Sequence, residues 1–373
     1  MKKTITALVC VLIALCPAFA ASAKSGEAPS VSASAYALYC PQNGSMILSK
    51  NKDEHKKPAS TTKLMTTLIT LERSASCNET VTFTEKMTAE GSSMYLEYGD
   101  SLKLTDLAAG MMMCSGNDAA NAAAIALSGS FEGFSRLMNS RAQSIGMRNT
   151  HFVTPSGLDD DDHYSCAEDM ALLMAECLKN ERLSALISQK SATVNFISPS
   201  NKHMTYTNHN RLLSMYPDCI GGKTGYTTAA GRCLVTAAKR DGLTLICVTL
   251  DDKNDWNDHI SLYDYGFSAL ACRGDSDFSA DIPVMGGESD TLRVGSEGGE
   301  LIVPREKLGD VRRTVRLDSF LFAPVNRGDI VGVIEYSLDG KILRRENIIS
   351  LDSVEYKRRS KGLLEKIKEL FNG

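Results

Sequence analysis

Three short runs carry side chains suited to acyl transfer: Ser60-Thr61-Thr62-Lys63, Ser115-Gly116-Asn117 and Lys223-Thr224-Gly225. Ser60 and Lys63 are three positions apart, so on a helix they share one face and lie within reach of each other. A serine hydroxyl is a weak nucleophile until a neighbouring base takes its proton. Lys63 can be that base only where burial or another cation lowers its pKa. Pro58 suits a first helical turn, which puts Ser60 among free backbone N–H groups at the positive end of the helix dipole. Ser115 reads as a second hydroxyl that passes a proton between Lys63 and a leaving amine, and the Asn117 amide as a holder of a substrate's peptide backbone. Lys223 and Thr224 offer a cation and a hydroxyl to a terminal carboxylate, on a strand whose edge can pair with an extended peptide. The N–H of Tyr226, just past Gly225, would join that of Ser60 as an oxyanion hole.

Each run has an ordinary reading when taken singly: a solvated helix face, a capping turn, a piece of hairpin. The elements around them decide. Ala33 to Cys40 and Ser45 to Ser49 read as strands about an Asn43-Gly44 hairpin turn. Pro58 to Glu72 turns helical, with Leu64, Leu68 and Leu71 on one face. Thr105 is suited to cap a helix through Met113, and Asn117 or Asp118 the Ala-rich helix after it, which puts Ser115 to Asn117 at a joint between helices. Further helices are expected from Phe131 to Ile145 and, behind a Ser165/Glu168 capping box, through Leu178. Strands at Gly222 to Tyr226, Cys233 to Lys239 and Leu243 to Leu250 complete a five-stranded antiparallel sheet, closed by a helix over Asp255 to Ala269. Past Cys272 the composition shifts to short strands, expected at Thr291 to Val294, Leu301 to Val303, Thr314 to Leu317, Ile330 to Tyr336 and Lys341 to Arg345, as in a small β-sandwich. Arg327-Gly328-Asp329, a match to a cell-adhesion tripeptide, reads as a turn between them.

With 373 residues the chain is longer than one average domain, and its formal charge of -4 suggests no nucleic-acid partner. Lys2 and Lys3 precede an apolar run too short to span a bilayer, followed by Ala21-Ser22-Ala23, so 1–23 is expected to be a cleaved export signal. Of 11 cysteines, Cys10 and Cys16 lie in that segment and the rest show no close CxxC pair, which argues against zinc and against a disulfide framework. No metal or cofactor is expected. The run Asp159 to Asp162 reads as a solvated loop, Met111 to Met113 as packing, and Cys114 as core filler. At the far end Leu363, Leu364, Ile367, Leu370 and Phe371 share a helical face surrounded by Lys and Arg, as in a segment lying on an anionic membrane surface.

The three runs together match the marks of penicillin-binding proteins and β-lactamases. With Pro58-Ala59-Ser60-Thr61-Thr62-Lys63-Leu64-Met65-Thr66, Ser115-Gly116-Asn117-Asp118-Ala119-Ala120, Gly157-Leu158, His163-Tyr164-Ser165 and Lys223-Thr224-Gly225-Tyr226-Thr227 the chain resembles the serine-type D-alanyl-D-alanine carboxypeptidases of the low-molecular-mass penicillin-binding proteins, from Ala33 to Cys272. One departure is Cys166, where the family pattern has threonine at a position that orients a loop.

The resemblance implies an α+β fold: a β-lactamase/penicillin-binding-protein-like transpeptidase domain over 24–275, with its five-stranded antiparallel sheet flanked by helices, a small all-β domain over 276–355, and a C-terminal amphipathic helix over 356–373. It implies catalytic Ser60, Lys63 and Ser115, with Asn117, Lys223, Thr224, Gly225 and Tyr226 binding substrate. The substrate implied is a peptidoglycan stem peptide ending in D-Ala-D-Ala, β-lactams are covalent inhibitors, and the site is the outer face of the cytoplasmic membrane, peripherally held. A β-lactamase and a sensor that acylates without turnover share the first chemical step. No Glu-x-x-Leu-Asn segment is present to place a deacylating water in the class A manner.

Overall fold

The computed structural model describes residues 27–275 and 277–357. The expected export signal and the amphipathic helix of 356–373, apart from its first two residues, lie outside the described residues. Five strands form one antiparallel sheet in the order Ser45–Lys50, Ala35–Cys40, Leu243–Leu250, Gly231–Arg240 and Cys219–Thr227. Its first hairpin therefore pairs with a strand two hundred residues later, Leu38 lying opposite Cys247. Successive side chains of a strand point to opposite faces. Along Leu243–Leu250, Ile246, Val248 and Leu250 enter a core shared with the helices, while Leu245 and Cys247 enter a second core against the helix Asp255–Ala269. With both faces covered, the sheet is a rigid platform, and its outer strand Cys219–Thr227 carries the Lys223 run along a free edge.

Against the first face pack the helices Lys63–Ser76, Leu104–Met113, Asn117–Ser128, Phe131–Ile145 and Ala167–Lys179. Met111, Met112 and Met113 are all buried there, as expected of packing residues. Four expectations about helix starts are corrected. The Ala-rich helix already begins at Asn117, with Gly116 and not Asn117 or Asp118 at its cap position. The Pro58 segment opens as a 3₁₀ turn, Ala59–Thr62, and only from Lys63 does it become α-helical. The second helix is capped at Lys103, whose backbone N–H donates to Asp106 at 3.2 Å, while the amide of Thr105 donates to Asn78. The fifth is capped by Cys166, not Ser165: its sulfur accepts the amide of Asp169 at 3.4 Å, and Ser165 is drawn away to bond Thr150 and pair with Lys56. The residue that departs from the family pattern thus keeps the capping role with a weaker acceptor. Two small ribbons had no sequence expectation, Thr80–Thr82 with Ser101–Lys103 and Ser191–Asn195 with His203–Thr207.

Beyond Ala269, the strand Leu270–Asp275 pairs with Gly299–Pro304 as a ribbon. A six-stranded sheet runs Arg312–Leu317, Ile330–Leu338, Lys341–Ser350, Thr291–Ser296, Phe278–Met285, Leu321–Phe322. Ribbon and sheet share a core through Val303, Ile282, Val294, Ile334 and Ile348. Arg327-Gly328-Asp329 is a turn, closed by the amide of Asp329 donating to Asn326. Arg305 donates to the carbonyl of Phe267 at 2.9 Å, tying this region to the helix that closes the first domain. All nine described cysteines are free thiols.

Candidate active site

The turn that holds Ser60 is set by packing on two sides. Ala59 adopts φ +46°, a left-handed conformation costly for any residue with a side chain. Opposite it sits Gly157, where an added Cβ would stand 1.9 Å from the Ala59 carbonyl oxygen. On the sheet side, a Cβ at Gly225 would stand 3.0 Å from the amides of Ser60 and Thr61, so glycine lets the outer strand lie against the turn that holds Ser60. Thr61 donates back to Pro58 at 2.6 Å and Thr66 to Pro155 at 2.6 Å, fixing the turn and the start of its helix.

Lys63 is fully buried and donates to Ser60 Oγ at 2.8 Å and to the carbonyl of Ser156 at 2.7 Å. Burial, and second the charge of Lys223, hold its pKa well below the usual lysine range. Lys223 is also buried, donating to Ser115 Oγ at 3.0 Å and to the carbonyl of Thr224 at 2.8 Å. Burial brings its pKa down to about 7. Both amines are bonded to neutral oxygens, and neither has a carboxylate partner among the described residues. This is the arrangement that leaves an amine free to exchange a proton near neutral pH.

Ser115 sits where two helices meet and is itself left-handed, φ +61°. It is bonded to Lys223, so the path expected between Lys63 and Ser115 is not a direct bond here. Asn117 opens the next helix. Its amide nitrogen donates to the carbonyl of Glu90 at 2.6 Å, which leaves its Oδ1 buried and unpaired in the free protein. Asp118 clamps the wall beside it, accepting from the amides of Met94 and Leu96 and the hydroxyl of Ser93.

Ser60, Ser115, Thr224, Gly225 and Tyr226 converge on a cleft of about 330 Å³, and Lys63, Lys223 and Asn117 stand behind its walls. Five further residues line it that the sequence reading did not assign: Ser92, His209, Arg232, Asp255 and Trp256. Arg232 lies directly across from Tyr226 on the next strand. Its guanidinium makes a two-point ion pair with the buried Asp255, one contact Nε to Oδ2 at 3.1 Å. Nothing local in the sequence marks that pair, because it forms where a strand end meets a helix start. Cys114 is half-buried, bonds the carbonyl of Gly110 and has its pKa pushed up to about 11 by burial, which suits an inert thiol. The Asp159 to Asp162 run is largely exposed, and Asp159 accepts from Thr227 at 2.9 Å, tying that loop to the end of the outer strand.

The family model for D-alanyl-D-alanine carboxypeptidase matches residues 22–254. The chain belongs to the D-alanyl-D-alanine carboxypeptidase family. It is a serine peptidase, a hydrolase, and residues 273–356 match the model for the penicillin-binding protein 5 C-terminal domain. Among curated members of the family, D-alanyl-D-alanine carboxypeptidase DacC of Escherichia coli is 32% identical over 367 residues, covering 92% of this chain and 90% of its own. DacF of Bacillus subtilis is 28% identical, covering 84% and 83%. Penicillin binding protein 5 from Haemophilus influenzae superposes with a TM-score of 0.69 at 28% identity, over 88% of this chain and 99% of its own. The Streptomyces K15 DD-transpeptidase superposes over 65% of this chain and 99% of its own, with a TM-score of 0.62 at 28% identity.

Proposed function

We propose that this carboxypeptidase removes the terminal D-Ala from peptidoglycan stem peptides through an acyl-enzyme on Ser60. Lys63 takes the Ser60 proton as Oγ attacks the penultimate D-Ala carbonyl. The amides of Ser60 and Tyr226 receive the oxyanion. The C–N bond then breaks as Ser115 hands its proton to the departing amine and is resupplied with the proton that Lys63 took. Water adds to the ester as Lys63 takes its proton, and that proton passes back to Ser60 Oγ as the shortened peptide leaves. Lys223 in its charged form and Thr224 hold the substrate's terminal carboxylate, while the unpaired Asn117 Oδ1 is free to accept a peptide N–H of the substrate. The observation that carries this reading is the 2.8 Å bond from a fully buried, carboxylate-free Lys63 to Ser60 Oγ.

The test is release of D-Ala from a D-Ala-D-Ala pentapeptide by the signal-free protein and by Ser60→Ala. Release by the first and none by the second is expected, and equal release by both would sink the assignment. Stable penicillin labelling without D-Ala release would indicate a sensor, and rapid penicillin turnover a β-lactamase.

The domains are proposed as 24–275 for catalysis and 276–355 for the β-rich region, with an export signal over 1–23. Peripheral attachment to the outer face of the cytoplasmic membrane is assigned to the basic amphipathic segment of 356–373. Among the described residues no helix is long and apolar enough to cross a membrane. Truncation after Tyr356 should move the protein from the membrane to the soluble fraction, and unchanged sedimentation with membranes would refute the attachment.

A further inference from the structure

His163 is buried beneath the nucleophile's turn, lines no part of the cleft, and has no place in the chemistry above. Its Nδ1 receives two backbone donors, the amides of Val153 at 3.0 Å and Thr154 at 3.1 Å. Two N–H groups aimed at one ring nitrogen require that nitrogen to be an acceptor, so the proton of the neutral ring is on Nε2. Nε2 faces Thr62 Oγ1 at 2.9 Å and donates to it. The ring therefore bridges two pieces of chain. One is the turn Ala59–Thr62, which carries Ser60 and leads straight into Lys63. The other is the loop of 153–158, which supplies the Ser156 carbonyl to Lys63 and the Pro155 carbonyl to Thr66, and packs Gly157 against Ala59.

We infer that His163 is a positioning residue that locks this loop to the nucleophile's turn, so that the Ser156 carbonyl holds the Lys63 amine aimed at Ser60. The inference rests on the proposed roles of Ser60 and Lys63. The carbonyl takes one of the amine's bonds and orients the rest. If the loop slides, Lys63 loses that contact and its aim together, and misplacement of a reacting group by about 1 Å can cost about a hundredfold in rate. Both bonds require the neutral ring. On protonation Nδ1 becomes a donor facing two donors, and the loop side of the bridge turns repulsive. Burial already opposes that proton, with the pKa lowered to about 4, while the carboxylate of Asp160 favours it and His151 and Lys57 oppose it.

Three variants separate the two halves of the bridge. His163→Asn can keep an acceptor near Nδ1 for Val153 and Thr154 but cannot reach Thr62. His163→Gln can keep a donor near Nε2 for Thr62 but misses the loop amides. His163→Ala keeps neither. The readout is the second-order rate of Ser60 acylation by benzylpenicillin, measured from pH 4 to 8 beside KM for the pentapeptide and a thermal melt. At neutral pH the alanine variant should acylate about 10- to 100-fold more slowly with KM nearly unchanged, and at least one amide variant should recover part of the loss. On acidification the wild-type rate should fall more steeply than that of His163→Asn, whose side chain takes no proton. Wild-type acylation by a folded His163→Ala protein, or identical acid limbs in wild type and His163→Asn, would overturn the inference. A wild-type protein that is not acylated at Ser60 would instead defeat the underlying reading of the site.

Discussion

Two regions of this molecule bury charge, and they deal with it in opposite ways. In the C-terminal sheet, Glu335 is almost fully buried and is answered by two arginines, Arg345 at 2.9 Å and Arg316 at 3.0 Å. In the cleft, Lys63 and Lys223 are more deeply buried, burial holds both pKa values down with the charge of Lys223 adding to the effect at Lys63, and both are offered hydroxyls and carbonyls in place of a counter-charge. Pairing keeps a buried group ionised and chemically quiet. Withholding the pair moves the pKa toward neutrality and leaves the group able to take or give a proton. The same fold thus buries charge with a partner in one place and amines without one in another.

The largest expected effect comes from removing the proposed base. Lys63→Met should slow Ser60 acylation by about 10²- to 10⁴-fold, the scale of a lost general base. Lys63→Arg should be no better, since a guanidinium does not deprotonate in this range. Both effects are read from penicillin acylation rates. The Met variant should also melt no lower than wild type, because a buried amine without a counter-charge is replaced by an apolar side chain of similar length. A strongly lowered Tm would mean that Lys63 serves the fold and not the reaction.

Glu335→Gln sharpens the contrast from the other side. It strips the charge from a buried ion-paired group of the C-terminal sheet that does not line the cleft, so thermal melts should show a lower Tm while kcat/KM for D-Ala release stays within about twofold of wild type. Loss of activity without loss of stability would show that the C-terminal region takes part in catalysis.

The smallest effect is one of pH. The folded pKa of Lys223, about 7, lies below that of an unfolded lysine, about 10.4, so between these values the unfolded chain binds more protons than the native one. Wild-type stability gains from this group as pH rises through that window and loses it as pH falls toward 7. Lys223→Met has no such term, so its Tm advantage should be greatest near pH 7 and shrink toward pH 10. A gap that widens with pH would contradict the burial account of Lys223.

Much of the fold was legible in the sequence, for identifiable reasons. The strand Leu243–Leu250 and the helices Phe131–Ile145 and Asp255–Ala269 carry long apolar patterns bounded by turn or capping residues, and their observed limits match the expected ones. The ribbon Ser191–Asn195 with His203–Thr207 does alternate, with Ala192, Val194, Met204 and Tyr206 turned to the core, but with five residues to a strand and only Val194 and Tyr206 buried, the pattern is too short to stand out from a loop. The fifth helix was misread at its cap because a cysteine stands where serine or threonine is the usual signal. In the site, the three motifs named eight residues that the fold brings to one cleft and its walls. What they could not name is the partner of Lys63 on the loop side, since the Ser156 carbonyl is backbone and leaves no trace in residue type. Nor could they name Arg232 with Asp255, whose pairing exists only once a strand and a helix start have been brought together.

The central claim is that Ser60 is the nucleophile, and the most direct measurement is peptide mapping by mass spectrometry of the protein after brief reaction with benzylpenicillin. A single penicilloyl adduct on the peptide containing Ser60, absent from Ser60→Ala and greatly slowed in Lys63→Met, is the predicted result. An adduct on another residue, or equal labelling of the Ser60→Ala protein, would contradict it.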